Sequence, residues 1–326
     1  MSDRILDASF NRAREALRVL EDASRFDGGD TNLSADLKRF RHDLDRLARP
    51  HVRRFLLARD ASGDVGKNGD LAGHRDVLAA NCKRVGEALR SIEEHSRNDL
   101  LTISKGAHRL RFRFYDLEQK LQGPRGRIAG ARLYVLLDSA VSLAPLEKAA
   151  REAIRGGADL LQLRESNRSD RSLLLIARKL SRICRSEGAL FIVNDRADIA
   201  VAADADGVHV GKSDLSIEAA RRVVGGYRIV GATTHSLSEV RRAKGADYVS
   251  VGPMFASSTK PDLKPQGQKY LSAVKKLGRT HFCIGGITSE NVTPAMVRVA
   301  VCAGVIGQKN IAGAARAIRK KLSVRK

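Results

Sequence analysis

Tryptophan is absent from the 326 residues, Phe and Tyr together supply only 4% of them, and there are four cysteines. Cys82, Cys184, Cys283 and Cys302 are spaced as neither a disulfide framework nor a CxxC metal knuckle, which argues against a stapled secreted scaffold and a zinc ribbon. A reducing cytoplasm is the expected compartment. No apolar run approaches the roughly 20 residues needed to cross a bilayer, and the first twenty residues carry acids and bases throughout. The expectation is a soluble, unprocessed chain with no membrane partner.

Acidic residues are outnumbered 37 to 59 by Lys and Arg, a formal net charge of +22. Such an excess can serve nucleic acid, but its distribution argues otherwise. Residues 1–130 hold 26 basic and 20 acidic residues, whereas 131–326 hold 33 and 17. The excess therefore lies on the half with an enzyme-like pattern, and no aromatics interleave with the bases as a stacking platform requires. A basic surface that attracts small anionic substrates is the expected partner chemistry; a homo-oligomeric state stays open.

The length favours two domains, each able to bury its own core. In the first, ASFNRAREALRVLEDASR at 8–25 recurs as ANCKRVGEALRSIEEHSR at 80–97, a constant offset of 72. Ala13, Leu17 and Leu20, like Val85, Leu89 and Ile92, recur at helical spacing, so each copy predicts an amphipathic helix burying one stripe. Further helical patterns at 32–58 and 100–122 suggest a pseudo-twofold all-α bundle over 1–123, with DASGDVGKNGD at 60–70 as the joining loop. GPRGRIAG then interrupts the helical pattern, and 124–130 reads as a linker.

Over 131–326 the pattern alternates strand and helix. Eight apolar runs predict strands: LYVLLD at 133, LLQLRE at 160, LFIVND at 190, GVHV at 207, RIVGATT at 228, YVSVGPM at 248, HFCIGGI at 281 and VRVAVCAGVI at 297. Eight units in under 200 residues suit a compact TIM (β/α)8 barrel, and the lack of a GxGxxG after the first strand weakens an open doubly wound sheet. In such a barrel chemistry gathers at the C-terminal strand ends. Strand two ends in Gln162, Leu163, Arg164, Glu165 and Ser166, strand three in Asn194 and Asp195, and strand four leads through His209 to Lys212 and Asp214. Arg164 offers a planar fork to phosphate; Asp195 and Asp214 can share a Mg2+ that keeps waters and grips a diphosphate, although a lone Asp after a strand is more often a helix cap. Ser257, Ser258, Thr259 and Lys260 cluster hydroxyls and a cation after strand six, either an anion clamp or an ordinary polar loop. Gly285-Gly286-Ile287 and Cys302-Ala303-Gly304 end the last two strands, where barrels often bind phosphate.

QLRES at 162, VNDRADIA at 193, ADGVHVGKSD at 205, GATTHS at 231, GPMFASSTK at 252 and IGGIT at 284 resemble, in order and near spacing, the signatures of the thiamine-phosphate synthase family. The resemblance implies joining of 4-amino-5-hydroxymethyl-2-methylpyrimidine diphosphate to a thiazole phosphate, with release of diphosphate through a dissociative step that uses no protein nucleophile. It implies Asp195 and Asp214 as Mg2+ ligands, Arg164 and Lys260 as catalytic, and Gln162, Leu163, Arg164, Glu165, Ser166, Asn194, Thr233 and Lys260 around the pyrimidine diphosphate. Ser257, Ser258, Thr259, Gly286, Cys302 and Ala303 would hold the thiazole phosphate. His209 and His235 are read as hydrogen-bonding histidines and not as bases.

The sequence departs from the family pattern at Ser166 (a lysine there), Lys212 (glutamine), Thr233 (serine) and Ser257 (threonine). Lys212 or Arg168 is the expected source of the charge missing at Ser166. SENVTPAM implies a shortened helix before the last strand. The N-terminal repeat resembles the helical domain fused to some of these synthases, with the signature ANxxRxxEALRVLE, read there as a second type of hydroxymethylpyrimidine-phosphate kinase. Its Arg12, Glu15, Arg18, Glu21 and Arg25, with Arg84, Glu87, Arg90, Glu93 and Arg97, can line a phosphate site or form surface ion pairs. A thiazole tautomerase-like barrel is the nearest alternative, opposed by Asp214 and the stretch from Ser258 to Lys260. A decayed barrel acting as a basic binding protein is the rival of another class.

Overall fold

A computed structural model describes residues 2–28, 31–59, 77–256 and 264–323. The chain divides into two compact units, Met1–Ala129 and Gly130–Lys326. No described helix is long and apolar enough to cross a membrane.

The first unit is helical: α1 (Ser2–Asp22), α2 (Thr31–Ala48), α3 (Val52–Leu57), α4 (Val77–His95), α5 (Leu101–Gln122) and α6 (Pro124–Gly130). Leu6, Phe10, Ala13, Leu17 and Leu20 of α1 recur every three or four residues and are buried, as are Cys82, Val85, Leu89 and Ile92 of α4. These stripes meet Leu37, Phe40 and Leu44 of α2 and Ile103, Ala107 and Phe114 of α5 in one core. Pro50 lies in a 3-10 turn, Arg49–His51, that divides the expected helix over 32–58 into α2 and α3. The segment read as a linker, 124–130, is itself helical, with Pro124, Ile128 and Ala129 buried. Proline suits a first helical turn, where its missing N–H costs nothing.

The repeat also governs the polar contacts. Glu21 accepts from Arg41, and its repeat mate Glu93 accepts from Arg111 at 2.9 Å. Ser24 and Ser96 hydroxyls each donate to the carbonyl four residues back, at 2.9 and 2.6 Å. Arg18, Arg90 and Arg97 form ion pairs with carboxylates three or four residues away.

The second unit is a closed parallel barrel, β1-β2-β3-β4-β5-β6-β7-β8. Its elements are β1 (Leu133–Leu137), α7 (Leu146–Arg155), β2 (Leu160–Leu163), α8 (Asp170–Glu187), β3 (Leu190–Asn194), α9 (Ala197–Ala202), β4 (Gly207–Val210) and α10 (Ile217–Val224). These continue as β5 (Ile229–Thr234), α11 (Leu237–Arg242), β6 (Tyr248–Val251), α12 (Gly267–Lys276), β7 (His281–Ile284), β8 (Val299–Val301), α13 (Ala303–Ile306) and α14 (Ile311–Ser323). A single 3-10 turn, Pro294–Met296, lies between β7 and β8. The run VRVAVCAGVI, expected as one strand, is a three-residue strand followed by α13. A short buried strand and a short buried helix carry the same apolar signal.

Alternation along the strands sorts the residues into two layers. Val135, Leu161, Leu163, Phe191, Val208 and Val230 pack outward into the core shared with the surrounding helices. Positions of the other parity fill the barrel. There Tyr134, Tyr248 and Phe282 meet edge to face, with ring centroids 5.3 to 5.9 Å apart. An aspartate before each of β2, β4 and β6 accepts from an N–H at the start of the preceding strand: Asp159 from Leu133, Asp206 from Phe191 and Asp247 from Val230, at 2.8 to 2.9 Å. Arg298 stands in the corresponding place before β8.

Candidate active site

A cavity of about 330 Å³ opens among the C-terminal strand ends. Gln162, Arg164, Asn194 and Thr233 line it from β2, β3 and β5. Gly286, Cys302 and Ala303 line it from the ends of β7 and β8. These residues come from motifs more than a hundred positions apart, and barrel closure alone brings them together.

On the β2 side, the Arg164 guanidinium lies 3.9 Å from the Asp138 carboxylate, half-exposed toward the cavity. Glu165 has another task. Its oxygens accept from the Ser139 N–H at 2.6 Å, the Ser139 hydroxyl at 2.9 Å and Arg168 Nε at 2.9 Å, clasping the loop after β1 to the loop after β2. Burial pushes the Glu165 carboxyl up, but the bonds from Arg168 and Ser139 outweigh it and hold it below the usual range. Glu165 therefore ties the two loops together and is not among the cavity-lining residues. Arg168 takes part in the same clasp, bonded to Glu165 and to the Ser139 hydroxyl. Ser166 is exposed and outside the lining, and the Leu163 side chain packs outward against the helices, so neither side chain faces the cavity.

Asp195 directly follows β3 with a φ of 62°, and its N–H donates to the His209 carbonyl at 2.8 Å, tying the β3 end to β4. Asp214 lies in the turn after β4, where one carboxylate oxygen accepts from the Gly211 N–H at 2.7 Å. Neither is among the cavity-lining residues. Among the described residues no three His, Cys, Asp or Glu form a metal-binding group. The two carboxylates, one just past β3 and one in the turn after β4, are hard oxygen donors of the kind Mg2+ takes, an ion that keeps several waters and shares substrate oxygens. Lys212 is exposed in the same turn.

The β7 end is shaped by glycine. Gly285 and Gly286 have φ values of 99° and 63°, and a Cβ on Gly286 would fall 2.2 Å from the Ala256 carbonyl oxygen. Only glycine meets both demands. Across the cavity, burial, aided by Asp138 and opposed by Arg164, pushes the Cys302 thiol up to about 11. Ser257, Ser258, Thr259 and Lys260 lie outside the described residues. Ser250 also lines the cavity, with nothing in its motif to mark it. Tyr134 and Tyr248 lie behind the lining, hydrogen-bonded to Gln162 and His209. Their one signal is a polar atom at an inward-parity position of an otherwise apolar strand.

A closed parallel barrel whose polar and glycine-rich residues gather at one cavity above the strand ends is a TIM-barrel enzyme built for a small molecule. Residues 133–308 match the thiamine monophosphate synthase family, and residues 4–120 match the ThiD2 family. The thiamine-phosphate synthase of Thermosynechococcus vestitus is 39% identical over 98% of this chain and 95% of its own. That of Nostoc punctiforme is 38% identical over 90% and 85%. The solved thiamine phosphate pyrophosphorylase of Pyrococcus furiosus aligns with a TM-score of 0.55 at 32% identity, covering 61% of this chain and 96% of its own. The chain belongs to the thiamine-phosphate synthase family.

Proposed function

We propose that the barrel joins the diphosphate of 4-amino-5-hydroxymethyl-2-methylpyrimidine to a thiazole phosphate, forming thiamine phosphate and releasing diphosphate. The carrying observation is the meeting of Gln162, Arg164, Asn194, Thr233 and Gly286 around one cavity. The bond from the pyrimidine methylene to the diphosphate oxygen breaks with its electron pair leaving on the diphosphate. The thiazole nitrogen then supplies the pair for the new C–N bond. Arg164 neutralises the departing diphosphate, with Lys260 and Lys212 as further cations, and the backbone around Gly286, Cys302 and Ala303 holds the thiazole phosphate. Asp195 and Asp214 are the residues that would hold Mg2+, which when bound supplies positive charge to the diphosphate oxygens. No protein nucleophile is required, in keeping with a Cys302 thiol that stays protonated at neutral pH. The four cysteines, all free, suit a reducing cytoplasm.

The test mixes the full chain with Mg2+ and both substrates and follows thiamine phosphate by mass spectrometry. Arg164→Ala should lower kcat/KM by about 100- to 1000-fold, as for other lost oxyanion-stabilising donors. Asp195→Ala should abolish product at low Mg2+. A folded wild type that makes no product would refute the synthase reading. The helical unit, through its ThiD2-family match, is read as the kinase that makes the pyrimidine diphosphate. Pyrimidine monophosphate and ATP should then give diphosphate before any thiazole phosphate is added; absence of that conversion would remove the kinase.

A further inference from the structure

Beneath the cavity the inward-facing polar residues form one continuous chain of hydrogen bonds. Gln162 Nε2 donates to the Tyr134 hydroxyl. The Tyr134 and Tyr248 hydroxyls are 2.9 Å apart, Tyr248 is 2.9 Å from His209 Nδ1, and His209 Nε2 is 2.9 Å from Thr233 Oγ1. Gln162, His209 and Thr233 line the cavity, whereas Tyr134 and Tyr248 are fully buried and do not. Burial raises both phenols above their ordinary range, so each keeps its one hydrogen.

With Gln162 Nε2 as the amide atom that faces Tyr134, counting hydrogens gives this chain a direction. The Gln162 amide N–H enters the Tyr134 oxygen, so Tyr134 gives its hydrogen to Tyr248. Tyr248 in turn gives its own to His209 Nδ1. The imidazole then carries its hydrogen on Nε2 and gives it to Thr233 Oγ1. At its two ends the chain leaves Gln162 Oε1, an acceptor, and the Thr233 hydroxyl hydrogen, a donor. The amide cannot turn over by itself, because three hydroxyls and the imidazole hydrogen must reverse with it or a buried pair is left unsatisfied.

We infer that Tyr248, acting with His209, is a positioning residue that locks the polarity of Gln162 and Thr233 and so makes the site select a 4-aminopyrimidine over its 4-oxo counterpart. The inference rests on the synthase reading for its substrate. An exocyclic amino group donates to Gln162 Oε1. A 4-oxo group sets acceptor against acceptor. Removing the Tyr248 hydroxyl uncouples the amide, which can then turn to present its NH2 group.

The experiment is a competition between the 4-amino and 4-oxo pyrimidine diphosphates for thiazole phosphate, with wild type and Tyr248→Phe, reading the ratio of products. The ratio cancels any general loss of activity or folded fraction. The variant should narrow the wild-type preference by about 10-fold or more, the effect of one unsatisfied buried hydrogen bond. An unchanged ratio would overturn the inference while leaving the synthase intact. No product from the wild type with the 4-amino substrate would overturn both. Independently of any variant, 15N shifts of the wild-type imidazoles, assigned with His209→Gln, should show His209 protonated on Nε2 alone. A ring carrying its hydrogen on Nδ1 would overturn the relay even if Tyr248→Phe failed to fold.

Discussion

Replacing Gly231 by alanine should unseat Tyr248. Gly231 pairs with Tyr248 in the β5–β6 register, and an added Cβ would fall 2.2 Å from Tyr248 Cζ and 2.4 Å from both Cε1 and the hydroxyl oxygen. The ring has little room to retreat, standing edge-on to Phe282 with centroids 5.3 Å apart and to Tyr134 at 5.9 Å. Overpacking of this kind costs about 1–3 kcal/mol, and loss of the two Tyr248 hydrogen bonds adds about 1 kcal/mol each. The total, about 3–5 kcal/mol, corresponds to roughly 6–20 °C in the melting of a domain of this size. Scanning calorimetry of the barrel transition reads it directly. Gly86→Ala is the control: nothing lies within 4 Å of its added Cβ, in the middle of α4. It should stabilise the helical unit by about 0.5–1 kcal/mol, the ordinary gain from removing a glycine inside a helix. A Gly231→Ala barrel melting within about 1 °C of wild type would refute the claim that Tyr248 is held between its neighbours.

Glu93 is a buried carboxylate with Arg111 at 2.9 Å and His108 at 3.1 Å, so Glu93→Ala should cost the helical unit about 3 kcal/mol by stranding Arg111; a loss under about 1 kcal/mol would contradict this. Burial raises this carboxyl, but His108 and Arg111 outweigh it and leave it below the usual range. Its contribution is therefore full above the unfolded glutamate value of about 4.3 and is lost as pH falls through the lower folded value. Acid titration of helicity, wild type against Glu93→Gln, should show that difference vanish at low pH; a difference constant with pH would contradict it. At Cys302, alkylation by iodoacetamide should be slow at pH 7 and rise about tenfold per pH unit toward the value of about 11. Modification at pH 7 as fast as that of free cysteine would show that the thiol is not buried as described.

Much of the architecture was legible in the chain because periodicity is local. The 72-residue repeat places Glu21 and Glu93, and Ser24 and Ser96, in equivalent settings. The eight apolar runs became the eight strands, and residues from several of the strand-end motifs line one cavity. Legibility failed where one local signal admits two structures. VRVAVCAGVI hid the change from β8 to α13, and GPRGRIAG, with three glycines, still forms α6. Both are settled by what the backbone packs against, which no window of sequence contains.

The sequence by itself determined the two-domain order, the alternation of strand and helix, and the residue types gathered at the strand ends. Only tertiary structure decided what those residues do. Glu165 and Arg168 stand beside Arg164 in the chain yet turn to Ser139, because the loop after β1 comes within hydrogen-bonding reach. Gln162, Tyr134, Tyr248, His209 and Thr233, spread over 100 positions of sequence, share one line of hydrogen bonds because the barrel closes. A hydrogen bond depends on separations of about 3 Å in space, and strand parity alone does not fix which inward side chains will meet.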